Sequence, residues 1–242
     1  MHALDTFLFA GLPYVALVVF LVGTIYRYRA TSFKYSSLSS GFLEKRTLFW
    51  GSMPFHWGIM ILFFGHLIAF LIPSGVLAWN SHPIRLLILE VSSFVFGLAV
   101  LWGLIMLIVR RLTSDRIRSV SNYMDFVVVG LLVAQTVLGL WTAWAFRWGS
   151  SWFAATLTPY LRSILVLQPD TAAVSAMPWV VKLHIVGAFL IVLMIPFSRL
   201  VHILVVPLHY LWRPYQRVIW YWGRDKVRDP NTEWTVTKPK NT

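Results

Sequence analysis

The chain holds seven histidines: His2, His56, His66, His82, His184, His202 and His209. His56 and His66 sit in one long apolar run, and His184 and His202 in another. An ionisable side chain inside hydrocarbon is costly and normally faces protein or a functional group. One such histidine could simply be hydrogen-bonded to a neighbouring helix. Four, divided two and two between two segments, point to shared chemistry. Opposed imidazoles are an axial ligand set for haem iron; with both axial positions filled, the iron has no vacancy for oxygen and serves electron transfer. Zinc is the weaker alternative, because structural zinc gathers four ligands close together. Cysteine is absent, which excludes disulfides, CxxC metal sites and iron–sulfur ligation within the chain.

The elements that must carry these histidines are membrane spans. Of the 242 residues, 58% are hydrophobic and 12% charged, and the mean hydropathy is +0.69. Soluble domains carry about a quarter charged residues, so a water-soluble enzyme and a disordered chain are both excluded. Crossing the bilayer takes roughly 20 apolar residues in a helix. Five segments qualify, at about 4–26, 49–72, 84–109, 123–146 and 179–207. The runs are continuous and lack the short alternation of barrel strands. The first has neither a basic segment before it nor a small-residue cleavage site after it, and is read as a retained span. No repeat or glycine-rich phosphate loop interrupts the pattern. The expected fold is all-α, with five transmembrane helices.

Charge orients them. There are 21 Lys and Arg against 9 Asp and Glu, a net +12 that in a soluble protein would suggest nucleic acid. Seventeen of the basic residues instead fall on one membrane face: in the 1–2 connection, in the 3–4 connection and from Arg199 onward. The positive-inside rule makes that face cytoplasmic, with the N-terminus outside and the C-terminus inside. No nucleic-acid partner is expected.

Orientation then pairs the histidines. Span 2 runs outward and span 5 inward, so the level pairs are His56 with His202 and His66 with His184. At about 1.5 Å per residue the intervals along the helices are about 15 Å and 27 Å. Tilt and a kink at Pro196 absorb part of the difference. A binuclear metal site would need ions about 4 Å apart, so two separate large cofactors stacked between spans 2 and 5 fit better. Ten helical residues also set His56 and His66 roughly 80° apart in rotation, so the two pairs would not share one azimuth.

Flanking residues extend the site. Gly58, Gly65 and Gly187 remove bulk where a flat macrocycle would lie. Arg111 and Arg199 lie at inner span ends, as propionate partners or as ordinary positive-inside anchors. At the outer edge, Arg85 could donate to a quinone carbonyl or simply snorkel, and Glu90 could take up a proton or loosely pair with it. Gly65, beside His66, joins these two as a candidate quinol-site residue. Asp125 and Gln135 on span 4 lack comparable support, and Asp125 serves as a helix start. His2, His82 and His209 have no partner and are given no ligand role. Trp148, Trp152, Tyr160 and Trp179, in or bordering the long 4–5 connection, suit an interfacial belt or short surface helices. The tail, 209–242, is basic and aromatic; it is either an interface anchor with a loose end or a docking arm on a five-span domain, 1–208.

The run FHWGIMILFFGHLIAFLIPSG, with KLHIVGAFLIVLMIPFSRLVHILVVPLHYL, resembles the gamma subunit of membrane-bound respiratory nitrate reductase. The likeness covers residues 1 to about 217 and includes the Pro13–Tyr14 pair and the RRL after span 3. It implies a dihaem cytochrome b that oxidises quinol, with His56 and His202 on the cytoplasm-proximal haem b and His66 and His184 on the outer one. It also implies a lysine in the family at the position of Arg85, a menaquinol or ubiquinol substrate, and cytoplasm-facing iron–sulfur and molybdenum partner subunits. The setting would be a bacterial or archaeal cytoplasmic membrane, with lipid around the spans. Glu90 matches no family feature, and the tail beyond Arg217 is longer than the family's. The dihaem module could equally serve another quinone-linked complex; a histidine-containing transporter is the reading from a different class.

Overall fold

The computed structural model describes residues 2–30 and 46–204; the 209–242 tail, with His209, lies outside them. Every described regular element is helical. Among the described residues five helices are long and apolar enough to cross a membrane: span 1 (Ala3–Ala30), span 2 (Thr47–Leu71), span 3 (Pro83–Thr113), span 4 (Tyr123–Ala145) and span 5 (Trp179–Phe197). Span 2 packs along span 3, span 3 against span 4, span 4 against span 5, and span 5 against span 1. Spans 2 and 5, which carry His56, His66 and His184, are not one of these packed pairs.

Between spans 2 and 3, glycine allows backbones to approach. A Cβ at Gly58 would lie 2.8 Å from the Phe96 carbonyl oxygen, and one at Gly103 would lie 2.6 Å from that of Gly51. Such contact matters in lipid, where helix association rests on packing and not on excluding water. Gly187 plays the same part between spans 5 and 4, where an added Cβ would collide with the Gln135 amide. Gly58 and Gly187 therefore serve helix packing, a correction to the macrocycle clearance expected of them. At Gly65 an added Cβ would meet nothing within 4 Å.

Prolines interrupt the spans, and side chains repair the damage. Pro13 cannot donate to the Phe9 carbonyl one turn earlier, and Phe7–Gly11 loosens into a π-helical turn. The Tyr160 hydroxyl donates to that carbonyl instead, at 2.8 Å. Span 2 ends before Pro73, which leaves the Ala69 carbonyl to the Thr158 hydroxyl at 3.3 Å. Both donors belong to the 4–5 connection, whose helices Gly149–Trp152, Phe153–Leu157, Thr158–Leu165 and Ala172–Ser175 contribute to a buried apolar cluster. Phe9, Leu157, Tyr160, Ile164, Val174 and Val181 make its core. Tyr160 is 2% exposed, so it belongs to this core and not to an aromatic belt. Burial pushes its phenol up, which keeps it a donor. Trp148 and Trp179 remain exposed, as an interfacial belt requires.

Span 5 departs most from expectation. The sequence reads as one helix to 207, kinked at Pro196; the α-helix instead ends at Met194. Ile195–Phe197 forms a 3-10 turn, Ser198 is extended at φ −122 and ψ 179, and Arg199–Leu204 resumes as a separate 3-10 helix. Pro196 removes a backbone donor and clashes with the preceding turn, and here the chain breaks where a kink was expected. His202 therefore sits on a different element from His184.

Candidate functional site

In His56, His66, His184 and His202, Nδ1 faces a backbone carbonyl. His56 Nδ1 lies 2.7 Å from the Ser52 carbonyl oxygen, His66 Nδ1 2.8 Å from that of Leu62, and His202 Nδ1 2.7 Å from that of Arg199. His184 reaches across to span 4, to the Gln135 carbonyl at 3.1 Å. A carbonyl only accepts, so it holds the proton on Nδ1 and leaves the Nε2 lone pair for a metal. Metal-binding histidines are oriented in this way.

The inner pair is assembled. His56 and His202 have ring centroids 6.3 Å apart, with planes inclined at 62°. A metal–imidazole bond of about 2 Å on each side accounts for about 4 Å of that span, and the two ring radii supply the rest. Among the described residues no three or more His, Cys, Asp or Glu side chains gather as a metal-holding group. Two imidazoles at this separation fit a metal held between them.

Around this pair the cations converge on one carboxylate. Asp125, 6% exposed, takes Arg199 Nε at 2.8 Å and Arg111 Nη1 at 3.3 Å. It also closes a capping box with Asn122, which begins span 4. Asp125 is thus more than a helix start. Its part depends on cations that reach it from spans 3 and 5, which the local sequence does not reveal.

The outer pair is built differently. No ring contact joins His66 to His184; His66 packs edge-on against Phe153 at 5.4 Å. Gln135 brackets His184, because its side-chain amide donates to the His184 carbonyl at 3.0 Å. The sequence singles out Gln135 but gives it no role, and only the pairing of spans 4 and 5 reveals one.

Arg85 places its guanidinium carbon 5.4 Å from the centre of the Trp79 ring, and its Nε is buried without a partner. Trp79 also borders an open apolar groove of about 350 Å³, together with Ile68, Ile72, Gly75, Val76 and Leu89. Gly65 lies three and seven residues before Ile68 and Ile72, hence on the same helix face. Glu90 turns elsewhere. Its carboxylate accepts from Ser150 N at 3.0 Å, Ser150 Oγ at 2.6 Å and Gly149 N at 3.3 Å, capping the helix that opens the 4–5 connection. Arg85 thus reaches the groove's border only through Trp79, Gly65 shares a helix face with Ile68 and Ile72, and Glu90 holds the helix Gly149–Trp152.

Comparison with known proteins adds independent findings. The family model for the nitrate reductase gamma subunit matches residues 5–221. The nitrate reductase gamma chain of Bacillus subtilis (strain 168) is 35% identical over 209 residues, covering 84% of this chain and 93% of that protein. The respiratory nitrate reductase 2 gamma chain of Escherichia coli (strain K12) is 32% identical over 219 residues, covering 89% and 96%. A nitrate reductase-like protein of Mycobacterium tuberculosis is 31% identical over 214 residues, covering 84% of this chain and 32% of that longer polypeptide.

Proposed function

The chain belongs to the nitrate reductase gamma subunit family, as a multi-pass subunit of an oxidoreductase complex in the cytoplasmic membrane, and from that premise we propose that it oxidises quinol at the outer face and delivers the electrons inward. His56 with His202 and His66 with His184 would each hold one haem b. Bound there, the two haems would supply one-electron transfer with no coordination position open to oxygen. The observation that carries this reading is the backbone carbonyl facing each of the four Nδ1 atoms, which leaves Nε2 as the nitrogen to ligate; on His184 that atom lies 3.4 Å from the Gln135 amide nitrogen, which a bound metal would displace.

The chain's own residues divide the work. Arg85, its buried Nε unpaired beside the apolar groove, would donate to a quinol oxygen, with Gly65 leaving room for the ring and Trp79 backing the guanidinium. Menaquinol and ubiquinol both suit that groove. Glu90 would keep the groove's border in place through its hold on Gly149 and Ser150. Arg111 and Arg199, held by the Asp125 carboxylate, would meet the propionates of the inner group. With the N-terminus outside, quinol protons leave on the outer face while electrons cross to cytoplasm-facing iron–sulfur and molybdenum subunits, which makes the reaction electrogenic. The 209–242 tail would dock those partners.

A reduced-minus-oxidised optical spectrum of the purified complex tests the reading. Two b-type components are expected. Replacing His66 or His184 by Ala should remove one of them together with quinol oxidation, and replacing His56 or His202 should remove the other. Absent b-type bands would overturn the reading, and loss of the same component on replacing His66 and His202 would overturn the pairing.

A further inference from the structure

The segment that carries His202 cannot hold itself in place. It is a short 3-10 helix beyond a break in span 5, and 3-10 hydrogen bonds are poorer than α-helical ones. The break also exposes backbone carbonyls at membrane depth, where each must find a donor. A side chain from another span supplies those donors, and one of the segment's own anchors it. Arg27, from span 1, donates through Nη1 to the carbonyls of Pro196 and Ser198, both at 2.7 Å. On the other flank the segment's own Arg199 side chain reaches the start of span 4 and the turn before it: Nε meets Asp125 at 2.8 Å and Nη2 donates to the Val120 carbonyl at 2.8 Å. The carbonyl of the same Arg199 accepts from His202 Nδ1 at 2.7 Å.

A connected lever follows. Asp125 is fixed by its capping box; it fixes the Arg199 side chain; and the Arg199 backbone orients the His202 ring. We propose that Asp125 and Arg27 are positioning residues for His202, and through it for the inner haem, an inference that rests on the haem reading above. Neither touches the histidine. Asp125 acts through Arg199, and Arg27 holds the strand of backbone on which Arg199 and His202 hang. Removing the Asp125 charge would leave two partly buried guanidiniums without their shared counter-ion, which is costly in a low-dielectric setting. The expected response is a shift of Arg199 and, with it, of the ring it orients.

The test uses the full complex with Asp125→Asn, Asp125→Glu and Arg27→Gln. Haem content, the low-spin electron paramagnetic resonance signal and the midpoint potential of each haem are read separately. Asp125→Asn and Arg27→Gln should weaken inner-haem retention roughly 10- to 100-fold, or shift its resonance and potential, as loss of an outer ligand-orienting contact does elsewhere. The outer haem should be unchanged, which doubles as the folding control, and Asp125→Glu should restore much of the inner signal. Inner-haem content, resonance and potential matching wild type in both charge-removing variants would overturn the proposal. So would equal damage to both haems. A wild-type complex without two b-type signals would instead overturn the reading beneath it, so the two failures are distinguishable.

Discussion

Arg85 shows how a single side chain can look ordinary in sequence and particular in space. A cation at a span end would normally snorkel to water. Here the guanidinium stacks on Trp79 and one of its donors is buried without a partner. A charged donor lacking an acceptor costs more than a hydrogen bond to it returns in water, so an arriving quinol oxygen has much to gain. Arg85→Ala should lower kcat/KM for quinol about 10- to 100-fold, corresponding to the ~1.5–3 kcal/mol of a hydrogen bond to a charged group. The haem spectra should stay unchanged, and Arg85→Lys should keep most of the rate. Unchanged steady-state kinetics in Arg85→Ala would make it a membrane anchor. The four histidines were legible because ionisable rings in hydrocarbon announce themselves within one stretch of sequence. Gln135 and Asp125 were not: each is an unremarkable polar residue on span 4 until His184, Arg111 and Arg199 arrive from other spans.

Among the elements, the five spans follow from apolar length alone, and their observed bounds differ from the expected ones by a few residues except in span 5. What length cannot show is how a proline-damaged helix is mended. The prolines are visible in the sequence, but the donors that replace their missing N–H groups come from distant segments. The 4–5 connection mends two helices at once, Tyr160 serving Phe9 and Thr158 serving Ala69. Arg162 adds a clamp on the carbonyls of Phe70 and Leu71 at 3.0 and 3.1 Å, much as Arg27 clamps the broken end of span 5. The connection is therefore a brace for the end of span 2 that carries His66. Tyr160→Phe removes only the hydroxyl and leaves a buried carbonyl unpaired, so it should cost about 1–3 kcal/mol. This should appear as a lower thermal midpoint of the detergent-solubilised complex. An unchanged midpoint would mean that the Phe9 carbonyl finds another donor.

At the scale of the whole molecule, the two ends of the bundle are built for different tasks. One end gathers Arg27, Arg111, Asp125 and Arg199 around the His56–His202 pair. The other holds the braced connection, the Arg85 groove and the His66 ring. The direction of electron flow proposed above depends on which end faces the cytoplasm, and the basic surplus argues for the first. The absence of cysteine permits a direct test. Leu167 is 75% exposed in the 4–5 connection, and Ser119 is exposed at the end of the helix Asp115–Ser119 in the 3–4 connection. With single-cysteine variants in intact cells, a membrane-impermeant maleimide should label Leu167→Cys directly. Ser119→Cys should react only once the membrane is opened and the complex denatured, because both the bilayer and docked subunits would shield it. The reverse pattern would turn the molecule over. Quinol would then be oxidised on the same face as electron delivery, and the charge separation would vanish even with all four histidines holding their haems.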